Sequence, residues 1–237
     1  MQVRELWRYP VKSLQGERVD SAAVTPQGIE GDRQLAIFDL ATGFGLTARR
    51  VPELLFGSAA FRSDGTVAIT LPDGSIAADD AALSGWLGRP VALRSAAEQV
   101  TRRYENPVDF EHEAATAWLP FIGSAGAFHD SRRAVVTLVS TGTTGSWDPR
   151  RFRANVLLDG DGEDGLVGTS VAVGGAVLDV AMRIGRCVMV TRPQPGSIER
   201  DLDVLRTVNR DRGGFLAVGA TVARPGVIAV GNPVGLA

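Results

Sequence analysis

One lysine, Lys12, and one cysteine, Cys187, occur in this chain of 237 residues, although Lys and Arg together number 25. A lone cysteine permits no internal disulfide, which agrees with a reducing cytoplasm, and it cannot hold an iron–sulfur cluster. Histidine is confined to His112 and His129. Two histidines and one cysteine make a structural zinc site a poor fit, and neither histidine lies in a nucleophile-elbow pattern. Aromatics reach only 6%, which argues against a stacking platform for single-stranded nucleic acid. The net charge of −2 gives no bulk attraction to nucleic acid or to an anionic membrane surface. No apolar run approaches the roughly 18 residues of a membrane span, and the amino terminus shows no charged-then-apolar leader, so a cytoplasmic location is expected. Neither a Gly-x-Gly-x-x-Gly fingerprint nor a phosphate-binding P-loop occurs.

What is present describes a globular, mostly β chain. Hydrophobic residues make up 44% and mean hydropathy is +0.05, enough for one large domain or two that share a core. Glycine (28) and proline (12) are spread widely and point to short strands joined by tight turns. Strands are expected at Val3–Tyr9, Arg18–Val24, Gln34–Asp39, Val67–Leu71, Val91–Arg94, Ala134–Ser140 and Arg153–Leu158. A hairpin reverses at Gly174-Gly175, and Pro72-Asp73-Gly74-Ser75 is a turn in which Gly supplies positive φ. The close, Phe215–Ala223 and Val227–Val230, is again β. One helix is expected from Asp79 and Asp80 to Gly88, and a second from Ser197, as its cap, to Val208, with Leu202 and Leu205 on one face. Between Ser95 and Asp130 no strand pattern is visible, which places a domain boundary there. The expected class is α+β, predominantly β: a smaller α/β module over 1–100, then a barrel-like β module over 101–237.

Four segments carry chemistry. Where any cation would serve, this chain uses Arg, so Lys12 in Tyr9-Pro10-Val11-Lys12-Ser13-Leu14 marks a place for a compact ammonium. Lys12 and Ser13 can grip a phosphate by charge and hydroxyl, or form a solvated turn. Gly28-Ile29-Glu30-Gly31-Asp32-Arg33 and Thr47-Ala48-Arg49-Arg50 offer planar guanidinium groups at Arg33 and Arg49, with Asp32 available to hold its neighbour. In Arg151-Phe152-Arg153-Ala154-Asn155-Val156, strand alternation puts Arg153 and Asn155 on one face, either toward a ligand cavity or toward solvent. Cys187, in Ile184-Gly185-Arg186-Cys187-Val188, reads either as a small buried hydrophobe or as a reactive thiol. Arg183, Arg186 and Arg192 lie near it in sequence to favour thiolate, and Gly185 permits close approach.

Taken in order, these segments resemble the MOSC proteins, named for the carboxy-terminal domain of molybdenum-cofactor sulfurase. The likeness is to the branch with an amino-terminal MOSC module, which includes the amidoxime-reducing component and its bacterial relatives. Tyr9-Pro-Val-Lys-Ser, Gly31-Asp-Arg, Thr47-Ala-Arg, Phe152-Arg-Ala-Asn and Arg186-Cys-Val carry the resemblance, together with the closing Ala223-Arg-Pro-Gly stretch. It implies a β-barrel core that binds the molybdenum cofactor (Mo-molybdopterin), with Cys187 as metal ligand and the residue at the reacting centre. Lys12, Ser13, Arg33, Arg49, Arg153 and Asn155 would hold the pterin and its phosphate. Ser140 and Thr143, in Leu138-Val-Ser-Thr-Gly-Thr, would add hydroxyl contacts. The implied activity is oxidoreduction of N-oxygenated small molecules, with electrons from a separate protein; His129 and Asp130 are proton-donor candidates only by their polarity and their place near a strand start. A sulfur carrier using a Cys187 persulfide and a non-catalytic cofactor carrier are the alternatives. The second cysteine common in the family just before the ligand cysteine is missing here.

Overall fold

The computed structural model describes residues 1–98, 101–110, 112–113 and 115–237. The chain opens with β1 (Val3–Arg8), β2 (Glu17–Val19), β3 (Ser21–Thr25) and β4 (Gly28–Ile29). It continues through β5 (Leu35–Asp39), β6 (Ser58–Phe61), β7 (Val67–Thr70), helix α1 (Asp80–Leu87), β8 (Val91–Ser95), β9 (Arg103–Pro107) and β10 (Trp118–Ile122). The last part holds β11 (Val136–Ser140), the single turn α2 (Thr141–Thr144), β12 (Val156–Leu158), β13 (Ser170–Val173) and β14 (Ala176–Gly185). Helix α3 (Asp203–Arg212), β15 (Phe215–Arg224), β16 (Gly226–Ala229) and β17 (Val234–Leu236) complete it.

Two compact units interleave along this path. The first gathers Met1–Tyr9, Gly16–Asp32 and Ser131–Ala237, the second Pro10–Gln15 and Arg33–Asp130. The chain thus leaves its first unit and later re-enters it.

The first unit is built on an eight-stranded sheet in the order β17-β13-β14-β15-β11-β12-β1-β2. Period-2 alternation supplies its core. Val136 and Leu138, Val156 and Leu158, Val171 and Val173, Leu178 and Val180, and Val218 and Ala220 point to one side. There they meet Val24, Ile29 and Ile228 of the small sheet β16-β3-β4 in one buried cluster. Each fully buried side chain of this kind is worth about 1.5–3 kcal/mol. The sheet curls around that cluster, and register shifts at three places along β14–β15 supply local bends. On the opposite side, Val139 of β11 and Leu157 of β12 pack with Val204 and Val208 of α3. These two strands are therefore covered on both faces.

Every pairing in the large sheet is antiparallel except β11 with β12. A parallel pair needs a long crossover, here Thr141–Asn155, which contains α2 and a 3-10 turn at Pro149–Phe152. The expected strand Arg153–Leu158 is thus reduced to Val156–Leu158, because Arg153 closes the turn in the left-handed region at φ 51°. Arg153 and Asn155 do not share a strand face. Likewise the expected Arg18–Val24 strand breaks at Asp20 into β2, paired with β1, and β3, paired with β16. Helix α3 starts at Asp203, not Ser197. Ser197 lies at φ 67° in a tight reversal bridged by Gln194 and Ile198, and the Asp203 amide is capped by Asp201 Oδ1 at 2.9 Å. Leu202, expected to share a helix face with Leu205, lies before the helix and is 40% exposed.

The second unit contains the antiparallel pairs β5–β8, β6–β7 and β9–β10. Helix α1 follows the expected caps: Asp79 accepts the Ala82 amide at 2.9 Å, and Gly88 closes at φ 64°. Asp80 then accepts the Leu93 amide at 2.9 Å, which fixes α1 against β8. The hairpin β9–β10 occupies the stretch in which the sequence shows no strand pattern. Its strands read Arg-Tyr-Glu-Asn-Pro and Trp-Leu-Pro-Phe-Ile, and Leu119, Phe121 and Ile122 are exposed, so no inside–outside alternation announces them.

Candidate functional site

Strained backbone marks the motif residues. Among the described residues, five that are not glycine have positive φ, and three of them are Ser13 (72°), Arg33 (51°) and Arg153 (51°). A non-glycine residue held there costs about 1–2 kcal/mol, and such positions concentrate at functional sites.

In the second unit, the loop Pro10–Gln15 is pinned along its length. The Leu35 amide donates to Pro10 O at 3.0 Å, and the Lys12 amide donates to Leu35 O at 2.8 Å. Lys12 is 8% exposed, and its ammonium donates to Phe128 O at 3.0 Å. It also pairs with the Asp130 carboxylate and stands 5.3 Å from the centre of the Tyr104 ring. The Phe128 amide in turn donates to Arg33 O at 2.7 Å. One residue, Phe128, therefore joins Lys12 to Arg33 through its carbonyl and its amide. Ser13 Oγ accepts the Ala48 amide at 3.0 Å, which ties the first motif to Thr47-Ala48-Arg49 and leaves the Ser13 hydroxyl proton free to donate elsewhere. Arg49 Nε lies 3.2 Å from the Glu113 carboxylate, and the guanidinium covers the Phe110 ring at 4.9 Å. The structure thus brings Lys12, Ser13, Arg33 and Arg49 into one unit, with the last in an ion pair. His129 is 7% exposed, and Asp130 serves as counter-ion to Lys12.

The first unit holds the other candidates. Cys187 follows the end of β14 and precedes a 3-10 turn at Val188–Thr191; its thiol is free and half-buried. A register shift between Arg183 and Gly185 turns the strand just before it. Arg186 fixes this end of the strand. Its amide donates to Gly214 O at 2.8 Å, Nε to Leu216 O at 2.7 Å and Nη1 to Phe152 O at 2.9 Å. Phe152 precedes Arg153, whose guanidinium stacks 4.5 Å over Tyr9. Arg186 thereby joins the cysteine segment to the crossover that carries Arg153. Arg183, expected to act on the thiol, pairs with Asp164 at 3.3 Å. Gly185 is not demanded by crowding, since a Cβ there would meet only Phe215 Cε1 at 4.0 Å.

Three of the remaining residues have partners inside the unit. Asn155 is fully buried; its Oδ1 accepts from Thr137 N and Oγ1 at 3.1 and 3.0 Å, and Nδ2 donates to Trp7 O at 3.3 Å. Ser140 and Thr143 both donate to Oε2 of fully buried Glu163, at 2.5 and 2.8 Å. Ser140 Oγ also accepts the Thr143 amide at 3.2 Å and so starts α2. Asp32, the acid of Gly31-Asp32-Arg33, is fully buried and accepts the Tyr9 amide at 2.8 Å. It anchors the end of the strand that leads to Lys12.

Sequence reasoning missed Glu163, the anchoring role of Asp32, and Tyr104. Glu163 sits in a polar loop like many others. Tyrosine, however, occurs only twice, so the rarity that singles out Lys12 and Cys187 also applies to Tyr104.

Residues 1–120 match the family described as MOSC N-terminal beta barrel domain, and residues 127–235 match the MOSC domain. No curated protein matches the chain. Among solved structures, the YuaD protein from Bacillus subtilis is similar at 12% identity and a TM-score of 0.45, with 98% of this chain and 93% of that one covered. YiiM from Geobacillus stearothermophilus is similar at 17% identity and a TM-score of 0.36, with 58% and 73% covered.

Proposed function

The chain belongs to the MOSC family, and from that premise we propose that it is a molybdenum-cofactor-dependent oxidoreductase acting on N-oxygenated small molecules. The observation that carries this reading is Cys187, a free and half-buried thiol at a strand end that Arg186 bonds in place at three points. A single soft thiolate suits a thiophilic redox metal. By the likeness of Arg186-Cys187-Val188 to the family's Arg-Cys strand, Cys187 would be the protein ligand and the pterin would complete the set. The donor chemistry fits such a group. Lys12 offers a largely buried ammonium, Ser13 a hydroxyl proton, and Arg33 and Arg153 guanidinium groups on strained backbone.

When bound, the cofactor would supply two-electron oxygen-transfer chemistry. The chain's own residues do the rest. Cys187 Sγ would hold the metal, and Lys12, Ser13 and Arg33 would take the negative charge of the phosphate. Asp130, whose side chain is 93% exposed, neutralises Lys12 until an anion does so. Arg49, already paired with Glu113, and Asn155, Ser140 and Thr143, already bonded within the fold, act by holding the loops that present the others. Overall, an N–O bond breaks, two electrons and two protons enter, and water leaves. The electrons come from a separate donor protein, in a cytoplasmic setting. Among the described residues no helix is long and apolar enough to cross a membrane.

The test is molybdenum and oxidised-pterin content per chain from a cofactor-competent host, for wild type and Cys187→Ala. Near-stoichiometric metal in wild type and its loss in the variant, with turnover of hydroxylamine-type substrates by wild type alone, is the expected result. Neither metal nor pterin in wild type sinks the reading. The same half-buried thiol supports a second reading, sulfur carriage, for which labile sulfur on metal-free protein, absent from Cys187→Ala, is the signature.

A further inference from the structure

Tyr104 lies in β9 with its side chain nearly closed to solvent, at 4% exposure. Its ring packs on Phe38 and Phe121, with centroids 6.2 and 5.8 Å away. Two glycines make its slot. A Cβ on Gly45 would fall 2.4 Å from the ring's Cε1, and one on Gly123 would fall 2.7 Å from Cε2. Both glycines are bonded to the chain at the start of β9, Gly45 N–H to Arg103 O and Gly123 N–H to Arg102 O just before it, each at 2.8 Å. The ring is therefore fixed at both edges, and nothing but glycine fits beside it.

At the end of this fixed ring is a hydroxyl that is buried and has no hydrogen-bond partner among the described residues. Folded proteins answer nearly all buried polar groups. Phenylalanine would fill the same slot without removing a hydroxyl from water, so the oxygen needs a reason outside the packing. Burial, with the Asp130 charge second and against the opposing Arg102, pushes this phenol above the ordinary tyrosine range. The group is thus a neutral donor throughout the physiological range. The Lys12 ammonium of the proposed anion-holding set lies over the face of the same ring, 5.3 Å from its centre.

We propose that the Tyr104 hydroxyl is a further binding group, donating its proton to an oxygen of the same phosphate-type anion that Lys12 holds. This rests on the reading of Lys12 above. An ammonium and a neutral hydroxyl around one oxyanion give charge and direction together, as charge-assisted hydrogen bonds require.

Tyr104→Phe keeps the ring between its glycines and removes only the oxygen. Wild type, Tyr104→Phe and Lys12→Ala are compared by three readouts: melting temperature without ligand, calorimetric affinity for inorganic phosphate, and pterin retained after purification from a cofactor-competent host. Tyr104→Phe is expected to melt no lower than wild type while binding phosphate roughly tenfold more weakly, the worth of one hydrogen bond to a charged partner, and retaining less pterin. A lower melting temperature with unchanged affinity would show the hydroxyl bonded inside the fold and overturn the proposal. Unchanged affinity and pterin in Tyr104→Phe, beside losses in Lys12→Ala, would overturn it and leave the Lys12 reading standing. Wild type that takes up neither phosphate nor pterin would overturn both. Phosphate weakened with pterin unaffected would support the hydroxyl as an oxyanion donor and place free phosphate, not the pterin's, at Lys12.

Discussion

Asn155 and Tyr104 are both polar residues inside the protein, one in each unit, at 0% and 4% exposure, and they differ in what their polar atoms meet. The Asn155 amide bonds Thr137 of β11 through its oxygen and Trp7 of β1 through its nitrogen. Its own backbone takes part too, since its carbonyl accepts the Trp7 amide at 2.8 Å. It joins three strands where the parallel pair begins. Among the described residues Tyr104 has no such answer to its hydroxyl. Burial of a polar group therefore does not by itself mark a binding residue; what separates the two cases is whether the fold already supplies the partners. A motif scan sees the first and passes over the second.

The comparison is broken most strongly at Asn155. Asn155→Ala leaves a buried amide on Thr137 and a buried carbonyl on Trp7 without partners, and should lower stability in urea by about 3 kcal/mol. A loss under about 0.5 kcal/mol would mean that the stitching contributes little and would free Asn155 for a ligand. Ser140→Ala comes next. It removes the cap on Thr143 and one of the two hydroxyls on the Glu163 carboxylate, for an expected loss of about 2 kcal/mol by the same measurement. No change there would show that water replaces the hydroxyl.

The smallest effect sharpens the other side. Because burial disfavours the phenolate, Tyr104 holds its proton in the folded chain past the ordinary tyrosine value of 10.0. The unfolded chain then binds fewer protons than the folded one. Stability is accordingly unaffected below about pH 10 and falls as pH rises through the ordinary tyrosine range. With only two tyrosines present, an absorbance titration resolves the delayed ionisation, and Tyr104→Phe should abolish it. A Tyr104 that ionises with the ordinary tyrosine value would mean that its hydroxyl is hydrated.

Elements whose signal is local were legible in the sequence. Helix α1 carries its own caps in Asp79 and Gly88, and the β13–β14 hairpin reverses at Gly174-Gly175 as expected. The Asp73-Gly74 turn has its positive φ of 86°. What failed depended on distant contacts. Arg153-Ala-Asn alternates like a strand, yet Arg153 ends a turn because the crossover must re-enter the sheet beside β11. Ser197 looks like a cap, but the reversal between Gln194 and Ile198 uses it at positive φ and delays α3. The motif residues were visible through rarity and order. Which of them bond within the fold was not, because Glu163, the partner of Ser140 and Thr143, lies 20 or more residues away in the chain.

The sheet order also governs how the protein emerges from the ribosome. Strand β1 has β2 on one side, but its other neighbour, β12, is Val156–Leu158. The whole of Arg33–Asp130 is synthesised in between. A chain made from its amino terminus at roughly 5–20 residues per second must hold β1 with an unpaired edge for seconds while the second unit emerges and can close. The first strands of the molecule are thus among the last to be sealed, and a nascent chain stalled between the two units would display a bare β1 edge to any chaperone, or to any other strand, that reaches it first.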